Sequence, residues 1–161
     1  MARAYIALGA NLGDPVATLN AAFDALKGLP KTTLVAASSL YRTAPVGLLD
    51  QPDFINAVAA VDTDLAPMDL LKALLNVEAE FGRQRSIRNA PRTLDLDVLL
   101  HGDALIHTAE LTLPHPRMHE RAFVLAPLAE IAPEISIPGH GPIGPLLAAC
   151  QDQAISRLVS A

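Results

Sequence analysis

The stretch Pro91-Arg92-Thr93-Leu94-Asp95-Leu96-Asp97-Val98-Leu99-Leu100 reads as a buried strand with two carboxylates on one face: Leu94, Leu96, Val98 and Leu100 fall on one side, Asp95 and Asp97 on the other. In a helix, residues two apart point to nearly opposite sides, so only the extended reading brings the carboxylates together. Their Cα atoms then lie roughly 6.6 Å apart, close enough for two side chains to converge on one ion or a close pair of ions. Hard oxygen ligands of this kind suit Mg²⁺, which takes one or two carboxylates and completes its shell with water and substrate phosphate.

Immediately upstream, Arg83, Arg85, Arg88 and Arg92 place four of the twelve basic residues in ten positions, although the chain as a whole carries a formal charge of −5. A guanidinium matches phosphate oxygens in a planar fork, so the cluster reads as a phosphate clamp. Either feature alone fits a solvated salt-bridge network equally well. Together, beside an apolar strand, they favour chemistry on a polyphosphate.

The remaining punctuation defines the element order. Residues 4–10 form a strand, followed by a Gly/Asn turn. Asp14 caps a helix opened by Pro15, with Leu19, Ala22, Phe23 and Leu26 at helical spacing and Gly28 at its end. A strand over 32–42 and another over 54–63 flank a turn-rich stretch from Thr43 to Pro52. Pro67 opens a second helix with a stripe of Leu70, Leu74, Val77 and Phe81, closed by Gly82. The Asp-bearing strand follows. The expected fold class is therefore α+β, with a ferredoxin-like β-α-β-β-α-β core, a sheet covered by helices, and C-terminal additions. These additions comprise a short strand near 104–107, a helix around 117–130 and an apolar segment at 143–158.

With 51% hydrophobic and 18% charged residues, the chain is not a mainly disordered one. No apolar run approaches the roughly 20 residues that cross a bilayer. Residues 1–161 are expected to form a single domain, and the N-terminal residues enter a strand without a signal-peptide pattern. The lone Cys150 fits a reducing compartment, and the expected location is the cytoplasm. Gly9-Ala10-Asn11-Leu12-Gly13 lacks the Gly-Lys-Ser/Thr ending of a phosphate loop and reads as a turn. His115 and His119 have Pro116 between them and no third ligand at fitting spacing, which argues against zinc. His101, His107 and His140 read as surface or turn residues, and Cys150 as a small core residue.

Four blocks, in order over most of residues 4–134, carry a family resemblance. They are Tyr5-Ile6-Ala7-Leu8-Gly9-Ala10-Asn11-Leu12-Gly13-Asp14; Ser39-Leu40-Tyr41-Arg42-Thr43-Ala44-Pro45 with Gln51-Pro52-Asp53-Phe54-Ile55-Asn56; Glu78 through Leu100; and Leu113-Pro114-His115-Pro116-Arg117-Met118 with Arg121 and Phe123. In these blocks the chain resembles the 6-hydroxymethyl-7,8-dihydropterin pyrophosphokinases. The resemblance implies transfer of a diphosphate from ATP to the hydroxymethyl group of a reduced pterin, releasing AMP, a step of tetrahydrofolate biosynthesis. It implies catalytic roles for Arg83, Arg92, Asp95 and Asp97, with two Mg²⁺ ions on Asp95 and Asp97. It assigns Glu78, Arg83, Arg85, Arg92, Val98 (through its backbone), Thr112, His115 and Arg121 to ATP. The pterin would lie between Phe54 and Phe123, its polar edges read by Asn56, Thr43 and the backbone around Val46. The chain departs from some members at Ser86 and Asn89, which replace Lys and Trp in a stretch one residue shorter, and at Leu75 and Glu110.

Elementary chemistry agrees with these roles. Two aromatic faces gain about 0.5–1.5 kcal/mol per good pair from a flat ring between them. ATP, two aspartates and two Mg²⁺ leave roughly two negative charges for arginines to offset. The expected partners are the two small substrates, acted on by a monomer with no nucleic acid or membrane bound. Two other readings remain open from the residues. An RNA-binding module shares the element order, though it would present a basic, aromatic sheet face. Another two-metal enzyme, a γ-phosphoryl kinase or a nucleotidyltransferase, would share the carboxylates but release a different product.

Overall fold

The computed structural model describes residues 1–44, 52–81 and 94–158. Strand β1 (Ala2–Ala10) leads into α1 (Pro15–Lys27), then β2 (Thr32–Ala37), β3 (Tyr41–Thr43) and β4 (Phe54–Thr63). Helix α2 (Pro67–Glu80) and β5 (Asp95–His101) complete the core. The caps are those that local chemistry favours. Asp14 accepts the Ala17 N–H at 3.1 Å, Pro15 and Pro67 open the two helices, and the N–H of Gly28 returns to the Ala25 carbonyl.

β1 lies between β4 and β5, antiparallel to both, and β2 pairs with the far edge of β4. The resulting order, β5-β1-β4-β2, is that of a ferredoxin-like sheet. α1 and α2 cover one face. There Ile6 and Leu8 of β1 and Leu94, Leu96 and Val98 meet Leu19, Leu26, Leu70 and Leu74. Each such side chain, withdrawn from water, contributes roughly 1.5–3 kcal/mol.

The chain then adds β6 (Ile106–His107), β7 (Thr112–Leu113), a 3₁₀ turn (Met118–Glu120), α3 (Ala122–Ile131), β8 (Ser136–Ile137), β9 (Gly141–Pro142), α4 (Ile143–Ala148) and β10 (Ser156–Arg157). These additions cover part of the second face. Met118, Leu125, Leu128 and Cys150 pack with Val58, Leu99 and Leu100 there.

Four expectations are corrected. The strand expected over 32–42 is two strands, β2 and β3, both on β4. At the break, Ser38 Oγ accepts the Val58 N–H at 2.9 Å, and Ser39 N–H donates to Glu130 at 3.0 Å, so side chains take over where the backbone ladder stops. Leu100 does not share a face with Leu94, Leu96 and Val98. The register shifts between Tyr5 and Ile6, which face Leu100 and Val98 and leave Leu99 as the extra residue of a bulge. Leu99 and Leu100 therefore both join the second core. His101 closes a strand rather than lying in a turn, with its Nε2 2.8 Å from the Leu65 carbonyl. The expected 117–130 helix is the 3₁₀ turn followed by α3, and the apolar segment at 143–158 holds α4 and β10.

Candidate active site

The uncovered part of the second sheet face forms a cleft of about 740 Å³. Its floor is shaped by small residues on the central strand. Ala7 stands between Asp97 and Val58, and Gly9 between Asp95 and Asn56, in the register of β5, β1 and β4. With no bulky side chain in the middle strand, the carboxylates of β5 and the polar and aromatic groups of β4 face one another across a trough. Gly9 is needed for close approach: a Cβ there would lie 3.1 Å from Asn56 Oδ1.

On the β5 side, Asp95 and Asp97 both line the cleft, as their alternation predicts. Between them, the Leu96 N–H donates to Glu78 Oε2 at 2.7 Å. Glu78 is buried on α2 and so clamps the backbone that carries the two acids from the opposite face of the sheet. On the β4 side, Asn56 is buried and its Nδ2 donates to Thr43 Oγ1 at 2.9 Å. That bond fixes which edge of the amide remains for a ligand. Phe54, opposite Thr43 in the ladder, is half-buried at the rim.

The third wall comes from the C-terminal additions. The Leu99 carbonyl, at the bulge, accepts the His115 N–H at 3.0 Å and brings that histidine beside Asp97. Burial pushes the imidazole pKa down; the Asp97 charge opposes this, while Arg121 and Arg117 reinforce it, and the net shift is downward. Nδ1 accepts the Arg117 N–H at 3.3 Å, which leaves Nε2 to carry the proton of the neutral ring. The Arg121 guanidinium carbon stands 5.4 Å from the centre of the Phe123 ring, a cation–π distance. Phe123 and Phe54 line the same cleft.

Of the residues named from sequence, Thr43, Phe54, Asn56, Asp95, Asp97, His115, Arg121 and Phe123 are thus brought to one cavity. Three lie apart from its lining. Glu78 is beneath the sheet, Val98 is packed in the first core, and Thr112 is half-buried in the β6–β7 pair. Val46, Arg83, Arg85 and Arg92 lie outside the described residues. His115 and His119 serve separate contacts: the His119 ring stacks on His140 at 3.7 Å between centres.

The cleft also holds Arg117, Glu120 and Gln153, which sequence reasoning did not select. Arg117 and Glu120 sit within the block that contains His115 and Arg121, and that proximity was an available signal. Gln153 carried none. It arrives from the far end of the chain through tertiary structure alone.

The donor set suits a hard divalent cation. Among the described residues no cluster of three or more His, Cys, Asp or Glu could hold a metal ion, and the cleft offers the Asp95 and Asp97 carboxylates as a pair. Mg²⁺ bound with water and phosphate asks for no more than that.

The family model for 7,8-dihydro-6-hydroxymethylpterin-pyrophosphokinase matches residues 5–133. The chain is 52% identical over 159 residues to the 2-amino-4-hydroxy-6-hydroxymethyldihydropteridine pyrophosphokinase of Pseudomonas aeruginosa, covering 99% of this chain and 98% of that protein. It is 46% identical over 158 residues to the protein of the same name from Haemophilus influenzae, covering 98% of this chain and 99% of the other. In structure it is similar to the Plasmodium falciparum HPPK-DHPS with pterin and p-hydroxybenzoate, with a TM-score of 0.76 at 14% identity. That likeness covers 97% of this chain and 45% of the longer one, and it shows the fold.

Proposed function

The chain belongs to the 7,8-dihydro-6-hydroxymethylpterin-pyrophosphokinase family, and from that membership we propose that its cleft transfers a diphosphate from ATP to 6-hydroxymethyl-7,8-dihydropterin, a step of folate biosynthesis. The observation that carries the proposal is the cross-strand arrangement around Ala7 and Gly9, which sets two carboxylates opposite an Asn/Phe wall in one cavity. The enzyme is an ATP-dependent diphosphotransferase. The pterin hydroxymethyl oxygen attacks the β-phosphorus, the bond from that phosphorus to the oxygen bridging the α- and β-phosphates breaks, and AMP departs with the bridging oxygen.

The protein's own groups bind and orient. Phe54 and Phe123 sandwich the heteroaromatic ring, and Asn56, Thr43 and the backbone near Val46 read its polar edges. Thr43 is tied to Asn56, so the two act as one preorganised edge rather than two adaptable groups. Asp95 and Asp97 would hold two Mg²⁺ ions, which when bound would neutralise phosphate charge and polarise the transferring group. Arg83, Arg85, Arg92 and Arg121, with His115, form the nucleotide side; Glu78 supports it from beneath the sheet by holding the Leu96 N–H. A neutral His115 offers Nε2–H to a phosphate oxygen without repelling the neighbouring arginines.

Residues 1–161 act as one pyrophosphokinase domain, a monomer working on small molecules in the cytoplasm. Among the described residues no helix is long and apolar enough to cross a membrane.

The test incubates the protein with Mg²⁺, ATP and the reduced pterin and separates nucleotides and pterins chromatographically. Pterin-dependent AMP together with a diphosphorylated pterin is the expected result. ADP would assign a γ-phosphoryl kinase, pyrophosphate a nucleotidyltransferase, and no turnover by folded protein would overturn the proposal.

A further inference from the structure

The wall of the cleft that presents Arg121 and Phe123 is shaped by a junction that α3 does not hold by itself. Arg121 joins the 3₁₀ turn to the helix with an extended backbone (φ −116°, ψ 112°), and its side chain makes no capping bond. The first N–H of α3, on Ala122, has no partner within the helix. Gln153 reaches across from the C-terminal segment and supplies one. Its Oε1 accepts the Ala122 N–H at 2.9 Å, and its Nε2 donates to the Glu120 carbonyl at 2.8 Å. One side-chain amide thus brackets Arg121 on both sides.

Gln153 is itself anchored at both ends of its segment. Its N–H donates to the carbonyl of the buried Cys150 at 3.0 Å. A few residues on, Ser156 and Arg157 pair with Arg42 and Tyr41, on the strand that also carries Thr43. The segment therefore links the Phe123 wall of the cleft to the Thr43–Asn56 wall. We infer that Gln153 is a positioning residue: by bridging Glu120 and Ala122 it sets the Arg121–Phe123 turn, and with it the width of the slot that takes the flat heteroaromatic substrate. The inference rests on the proposed function for the identity of that substrate. Gln153 also lines the cleft, so direct contact with the ligand is the competing account.

The experiment measures the dissociation constant of 6-hydroxymethyl-7,8-dihydropterin with Mg²⁺ and a non-hydrolysable ATP analogue present. Gln153→Met keeps the side-chain length and removes both bonds, and Gln153→Ala removes the rest. Either substitution weakens pterin binding roughly three- to tenfold, the range for one exposed hydrogen-bonded link. In a Phe123→Ala background the effect of Gln153→Met falls below about twofold, because the ring it places is gone. An undiminished effect in that background means direct contact and overturns the inference, as does unchanged affinity in the otherwise wild-type protein. If the wild-type protein does not bind the pterin, the functional reading fails separately. Amide exchange at Ala122 then decides the positioning role: about tenfold faster exchange in Gln153→Met upholds it, and unchanged exchange refutes it.

Discussion

Replacing Gly9 with alanine separates recognition from stability at one atom. Gly9 lies within β1, and its backbone is not in the left-handed region. Alanine is therefore compatible with the local conformation, and removing a glycine's freedom from the unfolded chain stabilises by about 0.4–1 kcal/mol. Against this, the new Cβ lies 3.1 Å from Asn56 Oδ1, where ordinary contact is 3.4–4 Å. Asn56 is held from the other end by Thr43 at 2.9 Å, so the few tenths of an ångström must come from that bond or from rotation of the amide. Weakening one such bond costs roughly 0.5–1.5 kcal/mol. The two contributions nearly cancel, and the melting temperature is expected to move by no more than about 4 °C. The ligand meets no such cancellation if, as proposed, the displaced amide reads its edge. Pterin affinity should fall about tenfold, equivalent to about 1.4 kcal/mol. Among the described residues, the only other atom within 4 Å of the new methyl is the Ile55 carbonyl, so the carboxylate side is untouched and ATP affinity should hold. Titration calorimetry with each ligand measures both. Pterin affinity within twofold of wild type, or a parallel loss for ATP, would refute the assignment of Asn56 and the division of the cleft.

Asp95→Asn and Asp97→Asn should each lower turnover by at least about a hundredfold with the fold intact by circular dichroism, since each removes one of the two carboxylates proposed to hold Mg²⁺. Near-normal activity in either variant would remove that residue from the metal site. Phe123→Ala should weaken pterin binding more than ATP binding. Equal losses would point instead to the loss of Arg121's cation–π partner. Stability should also depend on pH through the contact between Glu130 and the β2–β3 break. Burial tends to raise the Glu130 carboxyl, but hydrogen bonds from Tyr41 and Ser39 and the Arg157 charge hold it below its ordinary value. Its contribution is complete above the ordinary carboxylate pKa and is lost as pH falls through the folded value. Tyr41, pushed up to about 12 by burial and by Glu130, contributes stability that is complete below its ordinary 10.0 and is lost as pH rises through the folded value. Glu130→Gln should therefore reduce stability at neutral pH and flatten the acid limb of a urea-denaturation series. An unchanged acid limb would show that Glu130 does not carry it.

Much of the fold was legible because its signals are local. Asp14, Pro15 and Pro67 act within one helical turn, and the stripes of α1 and α2 follow from helical periodicity. The alternation of Leu94 to Val98 around Asp95 and Asp97 needs only the geometry of a single strand. The failures share a cause as well. The break at Ser38 depends on Val58 and Glu130, residues 20 and 91 positions away from the serines they meet. The flip at Leu99 depends on a slip against β1 that no window along β5 contains.

The same division holds for the site. Residue type and spacing along the chain were sufficient to bring the carboxylate pair to the cleft and, through the family blocks, the two phenylalanines and Asn56; the arginine cluster lies outside the described residues. These are chemical requirements, and they are written in the residues themselves. Only the tertiary structure decided that a trough opens over Ala7 and Gly9, that Glu78 clamps the strand between the aspartates from below, that a bulge carbonyl brings His115 to Asp97, and that Gln153 braces the Arg121–Phe123 turn. Those features are contacts between segments far apart in sequence. Their free energy depends on register and packing, which no stretch of the chain specifies until the others are in place.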